Sequence, residues 1–186
     1  MDRNERRARV VTKALTAALL LFAVIPGIAV GQDAAAHQAY FRAVADYFEV
    51  SAAEVAILAD WSLPPDEIPV ALFLARRTGI SPEALVALRN SGRGWVELAS
   101  RYEVGAAQLH VPLQRPPSSG LLSSAYQQYG SRPVGDWNRI GLTDEEIVTL
   151  VNVRVLSSAL GMRPDEVLAR RSGVRSFVEL YAGAIG

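Results

Sequence analysis

Gly79, Pro82, Arg89, Val96, Glu97 and Leu98 return without a gap as Gly161, Pro164, Arg171, Val178, Glu179 and Leu180, 82 positions further on, with Trp95 falling on Phe177. A recurrence of this kind restricts the chain to folds that use one local unit twice. Upstream the match resumes after a three-residue shift, Asp66-Glu67-Ile68 against Glu145-Glu146-Ile147. A weaker echo sets Glu49-Val50-Ser51-Ala52-Ala53 against Glu103-Val104-Gly105-Ala106-Ala107.

The unit reads as helical. Gly79 stands where a left-handed residue closes a helix, and Ile80 can make the accompanying apolar contact. Ser81-Pro82 then restarts a helix with serine at the cap and proline in the first turn. Ser91-Gly92-Arg93-Gly94 stops it, and Trp95-Val96-Glu97-Leu98 opens the next. Ser51 with Glu54, Thr143 with Glu146 and Ser176 with Glu179 have the spacing of capping boxes. Tyr40, Phe41, Val44 and Phe48 recur at helical spacing in a segment from Asp33 to Phe48. No segment alternates as a strand does, so the expected class is all-α. The copies are expected at about 63–102 and 142–183, joined by a connector at about 112–141. Each copy is too small to bury its own apolar face, so the two should pack on each other and on the first helix. The connector, with Pro116-Pro117-Ser118-Ser119-Gly120 and Ala125 to Gly130, is expected to form a loop, a short helical turn and a second loop ending at Trp137. Connections this long are often functional.

The N-terminus reads as an address. Arg3, Arg6, Arg7, Arg9 and Lys13 stand against Asp2 and Glu5, an apolar run from Ala14 to Gly31 follows, and Ala29-Val30-Gly31 has the small residues of a cleavage site. That order of parts predicts a signal peptide over 1–31, cleaved before Gln32, and a single all-α domain over 32–186 in the periplasm or outside the cell. The protein would meet the membrane only during export, unless the run is kept as an anchor.

Composition narrows the chemistry. The chain has no cysteine and two histidines, His37 and His110, which excludes a disulfide framework and a zinc-thiolate site and leaves no basis for a multi-histidine metal cage. No catalytic residue, cofactor site or metal site is assigned. The whole chain carries 19 basic and 19 acidic residues, but five bases and two acids lie in 1–31, so residues 32–186 hold 14 against 17, a net of −3. The segment from Gly79 to Tyr102 has the outline of a helix-turn-helix reader. Acidic balance and export argue against a nucleic-acid partner. Every base after Lys13 is arginine, whose planar fork suits carboxylate-bearing partners.

Seven residues are singled out as candidate partner-binding positions. Arg89, Arg93 and Trp95 lie on the first copy, Tyr126 and Tyr129 on the connector, and Asn152 and Arg154 interrupt the apolar run from Ile147 to Leu160. Asn152 and Arg154 have two readings, backbone partners at the edge of a buried stripe or, with the two tyrosines, the lining of a polar pocket. Trp95 and Phe177 suit wedges between helices. A groove between the copies, with the connector on its rim, is the place expected to take a ligand.

The start Asp66-Glu67-Ile68-Pro69-Val70, the turn from Arg89 to Trp95, His110-Val111-Pro112, the Ala125-Tyr126 and Tyr129-Gly130 stretch and Leu150-Val151-Asn152-Val153-Arg154 resemble an uncharacterised family of exported bacterial helical proteins. The resemblance covers roughly 47–180, departs from that pattern at Ser118 to Leu122, and implies export but no activity. The expected function is therefore a non-enzymatic binding protein of the bacterial envelope, its partner an envelope protein or other extracytoplasmic ligand. The alternatives are an envelope hydrolase using an Asp/Glu pair and a helix-turn-helix-like nucleic-acid binder.

Overall fold

The computed structural model describes residues 27–186, with side chains from Asp33 onward. Most of the expected signal peptide, 1–26, lies outside the described residues. All regular structure among the described residues is helical, without strands.

Helix α1, Gly27–Phe48, starts earlier than the expected Asp33, so the cleavage point before Gln32 falls within helical backbone. It buries Tyr40, Val44 and Phe48, one residue per turn along one face. Glu49 then turns left-handed at φ 56°, and the Val50 amide donates to Ala45 O at 3.0 Å, closing the helix end. Ser51 caps α2, Ala52–Asp60, by accepting from the Glu54 amide at 3.1 Å.

A 3-10 turn at Pro65–Glu67 leads into α3, Ile68–Thr78, in which every residue from Ile68 to Leu74 is buried. A helix apolar all round belongs in the centre of a protein. Gly79 ends it at φ 74°, ψ 5°, and Ser81 caps α4, Pro82–Asn90. Next come α5, Trp95–Arg101, a left-handed Glu103 at φ 58°, and the one-turn α6, Ala106–Leu109.

The connector is more helical than expected. It holds the nine-residue α7, Ser123–Ser131, and a six-residue 3-10 segment, Val134–Arg139. Neither has a side-chain N-cap. Tertiary contacts hold α7 instead, through buried Leu122, Ala125, Tyr126 and Tyr129.

The second long helix, α8, spans Asp144–Leu160 and starts on a reciprocal box, Thr143 Oγ1 accepting from the Glu146 amide at 3.2 Å and Glu146 Oε2 from the Thr143 amide at 2.8 Å. The other two expected boxes are half-formed. Glu54 makes no return bond, and Glu179 accepts from the Arg175 amide rather than that of Ser176. Gly161 ends α8 at φ 62°, ψ 25°, and α9, Pro164–Arg171, and α10, Phe177–Ile185, complete the chain. Thus both Gly-x-x-Pro corners share a left-handed backbone that an L side chain adopts only with strain.

Helices α3 and α8 pack against each other at the centre, α4 lies on α3, α9 on α8, and α1 crosses α8 and α10. Two acids tie the halves together reciprocally. Asp66, ahead of α3, accepts from the Phe177 amide that starts α10 at 3.0 and 3.1 Å, while Asp144, at the start of α8, accepts from the Val96 amide at the start of α5 at 2.8 Å. Each carboxylate meets orphan donors and the positive end of a helix from the other half.

Candidate functional site

The seven candidate residues divide by burial. Trp95 and Asn152 are fully enclosed, Tyr126 and Tyr129 are 5% and 4% exposed, and Arg89, Arg93 and Arg154 are partly buried. Arg93 pairs with Glu97 on its own helical turn. The set does not converge on one surface.

Asn152 sits at a junction of three helices. Its Oδ1 accepts from Tyr40 of α1, and its Nδ2 donates to Asp66 O at 2.7 Å and Val148 O at 2.8 Å. Burial, and then the charge of Asp66, hold the Tyr40 phenol well above its ordinary value, so it remains a donor. Arg154 lies over the Phe73 ring at 5.0 Å and donates to the carbonyls of Gln108, Leu109 and His110, at 2.8 Å for the last. It holds the end of α6, where helical carbonyls lack partners. Beside it, His110 packs against Trp137, Tyr129 and Tyr126 with ring centroids 4.4, 4.6 and 5.7 Å away. Burial and then the Arg154 charge push the His110 imidazole below its ordinary value. The polar tips of the aromatic residues are spent on backbone: Tyr126 donates to Val111 O, Tyr129 to Ala106 O and Trp137 to Tyr129 O. These residues build the junction between connector and core.

Two clefts flank this junction. One, of about 440 Å³, lies between α5, α6 and residues 138–142, close to Ile147 of α8. The other, of about 660 Å³, lies between the connector at 115–122 and the face of α9, with Glu145 and Thr149 of α8 among its lining. Its size is that of small-ligand sites. Leu122, Leu168 and Val174 give it apolar walls, and Arg115, Arg163, Arg171, Glu145, Asp165 and Glu166 bring charge.

Much of that charge is engaged. Asp165 accepts from the amides of Gln114 and Arg115 at 3.2 and 2.8 Å, and Arg163 donates to Gln114 Oε1 at 2.8 Å, so the connector is fastened to the start of α9. Partial desolvation pushes the Asp165 carboxyl up, but those amides outweigh it and hold the group below its ordinary value. Arg163, paired with Glu166 at 2.8 Å, holds that carboxyl low as well.

Arg171 is different. It lies over Phe177 at 5.0 Å and donates through Nη1 to Val174 O at 2.6 Å, while its buried Nε has no hydrogen-bond partner among the described residues. Sequence reading marked Arg171 as part of the recurrence but not as a site, because what sets it apart is the lack of an acceptor at its Nε, which no local pattern records. Among the described residues, no group of three His, Cys, Asp or Glu side chains is placed to hold a metal ion, and no helix is long and apolar enough to cross a membrane. Compared with models of known families, with curated proteins and with solved structures, the chain matches none of them.

Proposed function

We propose that this protein is an exported, non-enzymatic helical binding protein, built from two copies of one helix-corner-helix unit, that takes its ligand in the cleft between the connector and α9. The single observation that carries this reading is the cleft itself, about 660 Å³, walled by apolar side chains and fastened open at one end by the Asp165 bonds to Gln114 and Arg115. The duplication is supported by the matching left-handed corners at Gly79 and Gly161 and by the reciprocal Asp66 and Asp144 caps. The basic, then apolar, then small-residue order of 1–31 supports export.

The hydrolase reading draws on three carboxylates around that cleft, Glu145, Asp165 and Glu166. A general acid needs a raised carboxyl value, and Asp165 and Glu166 are both shifted the opposite way. The binding reading is preferred because both groups are also already held, Asp165 by the Gln114 and Arg115 amides and Glu166 by Arg163. It is tested by titrating a library of small organic molecules into isotope-labelled protein and following amide and methyl shifts. Hits that cluster at Leu122, Leu168 and Val174 agree with it, whereas hits confined to the cleft beside α5, or none at all, contradict it.

A further inference from the structure

Resting on that reading, we infer that the cleft recognises a carboxylate carried on an apolar body, gripped by the Nε and Nη2 edge of Arg171. The first half of the molecule contains the template. There Arg89, the counterpart of Arg171, lies over Trp95 at 5.7 Å and donates through Nε and Nη2 to Glu67 at 2.8 and 3.0 Å, a two-pronged grip on one carboxylate. The Trp95 indole adds a third donor at 2.9 Å.

The second half repeats the arginine and its stacking on an aromatic ring, but no acid hydrogen-bonds to it among the described residues; Asp66, bonded to the Phe177 amide, feels its charge without taking the edge. Glu146, matched to Glu67 in sequence, is bonded to the Thr143 amide in the α8 cap, Thr149 and Glu145 are the α8 residues on the cleft, and Phe177 replaces the indole with a ring that has no N–H. Arg171 keeps the bond from Nη1 to Val174 O that fixes its plane, as Arg89 keeps one from Nη1 to Arg93 O. Its Nε–H is therefore oriented, shielded from water and without an acceptor. A buried donor in that condition is costly, and such groups usually meet a partner.

The Arg171 side chain bounds the cleft, so a carboxylate that enters and draws the guanidinium toward it can supply that partner. Arg115, on the same cleft, is in no ion pair among the described residues and is a second cation for an entering acid, while Leu122, Leu168 and Val174 suit an aliphatic body rather than a second charge. Glu145, also on the cleft, is an internal acid that an entering carboxylate would meet there.

The test is to titrate octanoate, octanol and an apolar tripeptide, with free or amidated C-terminus, into the whole protein while following the Arg171 Nε–Hε resonance and the Leu122, Leu168 and Val174 methyl groups. Octanoate should shift both sets and octanol should bind at least about tenfold more weakly, the loss expected when an ionic hydrogen-bonded partner is removed. Arg171→Lys should lose about the same factor although its charge is kept, and Glu145→Gln should tighten binding. A tripeptide that competes only with its C-terminus free would assign the same edge to a chain terminus, whereas octanoate alone would assign it to small acids. Equal binding of octanol and octanoate, or octanoate binding that leaves the Arg171 resonance unmoved, overturns the carboxylate assignment and leaves the cleft as an apolar site. Absence of every ligand from the cleft overturns the binding function too. Should Arg171→Lys fail to fold, the wild-type Nε–Hε resonance decides alone.

Discussion

Glu49 and Glu103 both hold left-handed backbone, at φ 56° and 58°, and both are followed by a valine whose amide reaches back five residues, Val50 to Ala45 O and Val104 to Ala99 O. Among the described residues neither glutamate side chain makes a hydrogen bond, and the Glu49 contact with Arg76 is 4.0 Å long and largely exposed. An L residue pays for that conformation and glycine does not, so Glu49→Gly and Glu103→Gly should each stabilise the protein by about 0.5–1 kcal/mol. Urea denaturation checks this, and a loss of stability in both variants would contradict it. Asp66 yields a second expectation. Burial raises its carboxyl above 3.8 although the Phe177 and Val178 amides, then the charges of Arg171 and His37, pull it down. The folded state therefore holds this proton more tightly than the unfolded chain, and the group's stabilising contribution is present below its ordinary value and lost as pH rises through its raised value. The depressed Asp165 and Glu166 act in a window below their ordinary values, so the two effects separate. Unfolding midpoints should fall as pH rises through the window just above 3.8, and Asp66→Asn should flatten that limb. An unchanged slope in the variant would assign it elsewhere.

Elements with strong local punctuation were legible before their surroundings were known. The Gly79 and Gly161 corners, the Ser51, Ser81 and Thr143 caps, and the first-turn prolines Pro82 and Pro164 carry their geometry in neighbouring residues. Helix α7 has none of this. Leu122 offers no capping group, and the helix exists because Tyr126 and Tyr129 reach backbone carbonyls 15 and 23 positions away. Periodicity alone suggested only a turn there. The fastening of the connector to α9 is likewise a long-range matter, 50 and 51 positions from Asp165 to the two amides it accepts from. Asp165→Ala removes both bonds, so amide hydrogen exchange across 114–122 should quicken while exchange in α3 and α8 stays as it was. Exchange that is unchanged in the connector would mean that apolar contacts at Leu122 suffice to hold it.

Across the whole molecule, the corners at Gly79 and Gly161 are alike in backbone, while Arg89 and Arg171 beyond them differ in their partners. Sequence reading matched the corners because glycine, proline and arginine recur at fixed spacing; it expected a groove between the copies with the connector on its rim, whereas the cleft of about 660 Å³ lies between the connector and α9. It chose Trp95, Tyr126, Tyr129 and Asn152 as candidates for their chemistry, and the fold encloses all four. Residue type cannot distinguish a side chain that spends its polar group on a distant carbonyl from one that offers it to a ligand. Arg171 shows the converse, since Arg89 has Glu67 on its edge and Arg171 has no carboxylate bonded to its own among the described residues. The most direct measurement of the central claim is a crystal structure of the protein grown with octanoate. The account requires the carboxylate between the connector and α9, within hydrogen-bond distance of Arg171 Nε and Nη2, with its chain along Leu168 and Val174. Glu145 found holding that arginine edge, with octanoate elsewhere or absent, would contradict it.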